Sequence, residues 1–137
     1  MKKVAIFSAL LALTGCAQID NYNEVVKHPA PADLAGYWQS AGPQSKLVSP
    51  EAIASLVVTP AGDTLDCRQW QRVIALQGKL TLRGDDFYNV TQRVEVYSVE
   101  RDGAMLEYAG MTLKRVDRPT AECAEVLAKS PLPTPLP

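Results

Sequence analysis

The chain has 137 residues, with 14 basic and 15 acidic side chains, a net charge of −1 and 47% hydrophobic residues. This balance suits one globular domain with tails and lacks the basic stripes that recognise nucleic acids or anionic lipid surfaces. Beyond the N-terminal segment no apolar run approaches the roughly 20 residues that a spanning helix needs.

The first element is a leader. Lys2 and Lys3 precede an apolar run over residues 4–13, and Leu13-Thr14-Gly15-Cys16 closes it. A basic start, a short apolar stretch and small residues before a cysteine form a lipobox, which resembles bacterial lipoprotein signals. The resemblance implies cleavage between Gly15 and Cys16 and acylation of Cys16 as the new N-terminus. An ordinary cysteine behind an uncleaved anchor is the alternative, but residues 4–15 are too few to span a bilayer. Ala17, where such lipoproteins carry Asp for inner-membrane retention, implies sorting to the outer membrane, facing the periplasm. Each buried acyl methylene contributes about 0.8 kcal/mol, so two or three chains give stable attachment. Removing residues 1–15, with their two lysines and no acid, leaves 122 residues and a net charge of −3.

Residues 16–33 read as the lipidated N-terminus and a tether, with Asn21, Asn23, Pro29 and Pro31 and little periodicity. Fully extended, such a tether reaches roughly 60 Å. His28, the only histidine, reads as a solvated residue of this tether. The folded unit is expected over residues 34–130. Short runs rich in Val, Leu, Tyr and Thr between Gly and Asp clusters predict strands at residues 36–40, 54–59, 64–76 (with a bend), 79–83, 90–101, 105–109 and 111–116. Ser49-Pro50-Glu51 is a helix-start chemistry, so a single helical turn is expected within residues 49–55.

Turn signals set a register. Asp102-Gly103 predicts a two-residue hairpin that pairs Arg101 with Ala104 and Val99 with Leu106. Ala109-Gly110 pairs Tyr108 with Met111 and Leu106 with Leu113, and Gln77-Gly78 pairs Val73 with Leu82. Apolar residues stay on one face through all three turns, which predicts an antiparallel meander with one buried face. Such a sheet covers that face by closing into a barrel or by packing a helix on it. Pro119-Thr120-Ala121-Glu122 predicts one short C-terminal helix to about Lys129. The fold class is therefore mainly β: a small meander sheet or lipocalin-like barrel with one helix. Residues 131–137, with alternating prolines, cannot join a sheet and read as a disordered tail or as a polyproline II ligand for a partner.

With Cys16 acylated, Cys67 and Cys123 remain as an even pair in a chain sent to an oxidising compartment, which predicts a structural disulfide. The other reading, a redox pair, lacks Cys-x-x-Cys spacing.

Catalytic chemistry finds little footing. A Ser-His-Asp arrangement needs a histidine in the folded body, and zinc needs ligands that two oxidised cysteines do not supply. No glycine-rich phosphate loop is present, so no metal or cofactor is expected. Asp63 with Asp66, and Asp85 with Asp86, could act as carboxylate pairs on a glycan, but three of the four sit at turn positions that favour Asp for its backbone hydrogen bonds. Asn89-Val90-Thr91 matches a glycosylation sequon by chance. The chain is read as a non-enzyme.

Two clusters point to binding. Gly36-Tyr37-Trp38 resembles the Gly-x-Trp that opens the first lipocalin strand, with Trp38 closing one barrel end; a plain core tryptophan is the bland alternative. Asp66, Arg68, Trp70 and Arg72 fall on one face of a predicted strand, which alternation from Cys67 sends outward. Arg and Trp are enriched in interface hot spots, so Arg68, Trp70 and Arg72 are the candidate partner-binding residues; otherwise they form a solvated face with Trp70 under the helix.

Asn21-Tyr22-Asn23, Leu34-Ala35-Gly36-Tyr37-Trp38-Gln39, Val48-Ser49-Pro50-Glu51-Ala52-Ile53, Asp66-Cys67-Arg68-Gln69-Trp70-Gln71-Arg72, Val116-Asp117-Arg118-Pro119-Thr120-Ala121-Glu122-Cys123 and the Pro-Leu-Pro-Thr-Pro-Leu-Pro end resemble the YedD family of enterobacterial lipoproteins. The similarity covers essentially the whole mature chain. It implies an envelope address and the cysteine pair, and adds no catalytic residue. Two functions are expected in turn. The first is an outer-membrane lipoprotein whose periplasmic domain binds and modulates another envelope protein, a peptidoglycan synthesis or remodelling enzyme being within reach of the tether. The second is a lipocalin-like carrier of a small apolar ligand, with Trp38, Tyr97, Leu106, Tyr108 and Met111 lining its cavity.

Overall fold

The computed structural model describes residues 20–41 and 52–137. Gly15, Cys16 and the start of the helical turn expected at residues 49–55 lie outside them. Eight strands occur among the described residues: β1 (Gly36–Ser40), β2 (Ile53–Val58), β3 (Asp63–Gln69), β4 (Val73–Arg83), β5 (Asp86–Thr91), β6 (Val96–Asp102), β7 (Met105–Tyr108) and β8 (Met111–Val116). Each pairs antiparallel with its sequence neighbours, and β1 pairs with β8, so the meander closes into a barrel. Eight strands give an interior just wide enough for side chains to fill.

Alternation puts Trp38, Leu56, Val58, Leu80, Val99, Leu106, Tyr108 and Leu113 inside, where they form one buried cluster with Leu34. A second cluster lies on the outer wall. Val57, Leu65 and Cys67 point away from the lumen and are covered by Cys123 and Leu127 of α1 (Ala121–Lys129) and by Leu132. Cys123 and Leu127 are one helical turn apart, hence on one face. Thr120 caps the helix by accepting from the Cys123 amide. The disulfide joins Cys67 to Cys123 with Cα atoms 6.2 Å apart, and closing a loop of that length contributes about 4 kcal/mol in the chain-entropy model.

The expected register holds at one turn and moves at two. Tyr108 pairs with Met111 and Leu106 with Leu113, across Ala109 and Gly110 with φ of 50° and 75°. The β6–β7 hairpin turns one residue later than expected: Asp102 pairs with Met105 and Val99 with Tyr108. A shift of two in partner leaves every side chain on its expected face. Gln77-Gly78 is no turn; both lie within β4, which continues to Arg83. A Cβ on Gly78 would come within 2.6 Å of Thr64 Oγ1 and 2.7 Å of Asn89 Oδ1, so this glycine serves close packing inside the barrel. The actual turn is Trp70-Gln71-Arg72, between Gln69 and its partner Val73. Residues 90–101 likewise split into β5 and β6, through a turn in which Val94 has φ of 63°, an unusual conformation for a β-branched residue.

Residues 20–33 and the tail after α1 dock on the barrel, a correction to the described part of the tether and to the free tail. Residues 20–33 form a strap. The His28 amide donates to Leu80 O at 2.8 Å, the Ala30 amide to Pro60 O at 3.0 Å, and the His28 ring packs edge-on against Phe87. Lys27 Nζ lies 3.1 Å from Asp63 Oδ2. In the tail, Leu132 is buried and Thr134 Oγ1 donates to the same Asp63 Oδ2 at 2.5 Å. A single buried carboxylate thus holds both the strap and the tail.

Candidate functional site

One end of the barrel is sealed. Trp38 is 1% exposed, and its indole donates to Leu34 O at 2.9 Å. The guanidinium groups of Arg115 and Arg101 lie 4.8 and 5.1 Å from its ring centroid, and both donate to Asp33 O. Such cation–π stacking contributes about 0.5–2 kcal/mol per pair. Trp38 therefore closes an end while also packing in the core cluster, so the plain core reading and the Gly-x-Trp resemblance coincide here.

Among the described residues the opposite end is open. A cavity of about 730 Å³ opens there, lined by Ala52, Ile53 and Ala54 at the start of β2, by Arg68 to Arg72 at the β3–β4 hairpin, by Ile74 and by Met111. Among the described residues its lining carries two arginines and no carboxylate. Trp70 is 58% exposed, an unusual state for so large an apolar surface, and Ile74 beside it is also exposed. Arg72 is exposed and joins none of the ion pairs among the described residues.

Beneath the mouth, a chain of polar groups crosses the lumen. Arg68 donates Nε and Nη2 to the two Asp66 oxygens at 3.0 and 3.2 Å. Tyr108 Oη donates to Asp66 Oδ2 at 2.7 Å and accepts from Asn89 Nδ2 at 2.9 Å. Thr64 Oγ1 donates to Asn89 Oδ1 at 2.5 Å. Tyr97 stacks edge-on against Tyr108 and lies under the Arg68 guanidinium. Burial, then the Asp66 charge and hydrogen bond, push the Tyr108 phenol far above its ordinary range. Partial burial pulls the Arg68 pKa down, but the hydrogen bond and charge of Asp66 more than offset it. This network fixes Arg68 at the floor of the mouth as a permanent cation with a satisfied partner.

The predicted binding residues meet, though not as expected. Arg68, Trp70 and Arg72 all line the mouth, but only Arg68 is on a strand; Trp70 and Arg72 form the hairpin turn. The outward direction assigned to Asp66 and Arg68 is reversed. Cys67 faces outward under α1, so its neighbours face the lumen, and the helix does not cover Trp70. Asp63 and Asp66 diverge onto opposite faces of β3, each with its own cationic partner. Of the residues expected to line a carrier cavity, Trp38, Leu106 and Tyr108 are at most 1% exposed and fill the lumen; Met111 alone borders the open cavity. Sequence reading missed Ile74 as a lining residue. It also missed Asn89 as the buried link between Thr64 and Tyr108, a polar residue at a lumen position of alternation being the signal.

A closed, eight-stranded up-and-down barrel, plugged at one end by a tryptophan, defines a lipocalin-like protein. The family model described as "Bacterial lipocalin LPS transport optimiser YedD" matches residues 19–127, and the chain belongs to the YedD family. It is 73% identical over 134 residues to the uncharacterized lipoprotein YedD of Salmonella typhimurium, covering 98% of this chain and 95% of the relative. It is 70% identical over 137 residues to the protein of the same name in Escherichia coli, covering 100% of both. The crystal structure of a lipoprotein YedD from Klebsiella pneumoniae aligns with a TM-score of 0.76 at 58% identity, covering 81% of this chain and 95% of that one.

Proposed function

We propose that this lipoprotein is a non-catalytic accessory of lipopolysaccharide transport. It is anchored through acylated Cys16 in the outer membrane, faces the periplasm and engages a protein of the transport machinery through its barrel mouth. One observation carries the surface assignment: Trp70, more than half exposed, stands at the rim of an apolar opening beside exposed Ile74 and Arg72, which joins no ion pair among the described residues. Buried aromatic and arginine anchors dominate interface energetics, and a monomer gains nothing by leaving them in water. The family description supplies the transport process. A peptidoglycan enzyme is less favoured than reach alone implies, because docking residues 20–33 removes most of the roughly 60 Å that a free tether would give.

The test is site-specific photo-crosslinking in intact cells, with the reactive residue at position 70 or 72, and at Glu122 on α1 as the control face. Adducts to a lipopolysaccharide-transport protein from the mouth positions, absent from the control, are the expected result. Adducts to a cell-wall enzyme, or equal adducts from both faces, would overturn the reading. The cavity of about 730 Å³ favours a second reading, a carrier of an apolar ligand, since small-molecule sites run from about 300 to 1,000 Å³. A co-purifying lipid released from the mouth, without protein adducts, would put that reading first.

A further inference from the structure

We infer that the flank made by the strap and the end of β4 lies against a zwitterionic lipid surface, so that the barrel mouth points away from the membrane. The inference rests on acylation at Cys16. Chain length supplies the constraint. Only residues 17–19 separate Cys16 from Asp20, and four residue steps reach about 14 Å at most. From Tyr22 onward, two residues beyond Asp20, the chain is held. Lys79 Nζ donates to Tyr22 O at 3.0 Å and sits 4.4 Å from the Tyr22 ring centroid. Lys27 and His28 then pin the strap to Asp63 and Leu80. Asp20 shares one concavity with Val26, Leu82 and Arg83.

The lipid therefore emerges near the Arg83 end of β4. Ile74, at the mouth, is eight residues from Leu82 along the same strand, about 27 Å at strand rise. That exceeds what the free residues can span, so an anchor that emerges at the Arg83 end cannot also reach the mouth, and the strap flank is the part of the barrel that it draws to the bilayer. The surface at the anchored end fits a membrane contact: Val26 is 78% exposed and Leu82 37%, an otherwise unexplained display of apolar groups where the lipid leaves. Charge selects the headgroup. Asp20 and Glu24 on the strap, with exposed Asp85 and Asp86 at the adjoining β4–β5 turn, outnumber Arg83 there. An anionic surface would repel this flank, whereas a zwitterionic one accepts it.

Tryptophan quenching tests the orientation, using the full acylated protein in phosphatidylcholine vesicles that carry headgroup-proximal doxyl lipid. Wild type reports on Trp70; W70F supplies the Trp38 background; V26W in that background moves the reporter to the strap. Flotation with the vesicles is scored first. Protein that fails to float refutes the acylated anchor, and with it this inference. For floating protein, at least twofold quenching of the Val26→Trp signal with Trp70 emission unchanged is the expected result. Quenching of Trp70 equal to or greater than that at position 26, or no quenching at either, overturns the orientation while leaving the anchor intact.

Discussion

Tyr108→Phe removes the hydroxyl that bridges Asp66 and Asn89 inside the barrel. Both partners are buried, Asn89 at 0% and Asp66 at 4% exposure. The variant takes one of three hydrogen bonds from the Asp66 carboxylate and leaves Asn89 Nδ2 without its acceptor. An unsatisfied buried donor costs about 1–3 kcal/mol and a lost hydrogen bond to a charged group about 1.5–3 kcal/mol. Because the two terms share one hydroxyl, a total of about 2–4 kcal/mol is expected, a large part of the 5–15 kcal/mol typical of a domain. Asp66→Asn is milder. Its amide oxygen can still accept from Tyr108, and Arg68, with 41% of its side chain exposed, can turn toward solvent, so about 1–2 kcal/mol is expected. Urea unfolding reads both. With a slope of about 1–3 kcal/mol per molar, Tyr108→Phe should lower the midpoint by about 1–2 M. The double variant should cost less than the sum of the singles, since Asp66→Asn already weakens, from a charge-assisted to a neutral one, the bond that Tyr108→Phe removes. A Tyr108→Phe cost below about 0.5 kcal/mol with strict additivity would refute a stabilising role for this network.

Two further outcomes follow from the same interior. Burial and the Asp66 carboxylate raise the folded-state Tyr108 pKa above the unfolded value, which is about 10. Its contribution is therefore complete below that pH and is lost as pH rises toward the folded value. Wild type should lose up to about 1.4 kcal/mol per pH unit above pH 10 through this group; urea midpoints of Tyr108→Phe should fall less steeply, and parallel slopes would count against the assignment. Gly78→Ala forces a methyl against Thr64, Asn89 and the Val90 carbonyl; a loss of about 1–3 kcal/mol is expected, measured by thermal unfolding, and a neutral result would mean that the lumen has slack at this level.

What could be read from the sequence was the periodicity. Alternation through β6, β7 and β8 placed Val99, Leu106, Tyr108, Met111 and Leu113 on one face, and that face is the lumen. The misreadings share a cause, namely that local turn chemistry competes with tertiary packing. Gln77-Gly78 has turn composition, yet Gly78 is there because Thr64 and Asn89 leave no room for a side chain. Trp70-Gln71-Arg72 and the turn containing Val94 have no glycine, proline or Asp-Gly signature, so both hairpins were hidden in long runs. The faces of β3 were inverted because a half-cystine was taken to face the core of the sheet. Here the second apolar cluster, under α1, lies outside the barrel, and Cys67 belongs to it. Arg68, Trp70 and Arg72 converge all the same, because the mouth collects residues from a strand end and its turn. Docking of the strap and tail was not legible: their polar, proline-rich composition is that of linkers, and their anchors are backbone amides and one distant carboxylate.

The meeting of the strap and the tail at Asp63 sets an order of events in folding. β1 lacks its second neighbour until β8 is present, and Thr134, which shares the Asp63 carboxylate, lies 71 residues further along the chain than Asp63. Closure of the ring therefore waits for β8, the last strand in sequence, and the strap and tail can share their carboxylate only around a barrel whose strands are all present.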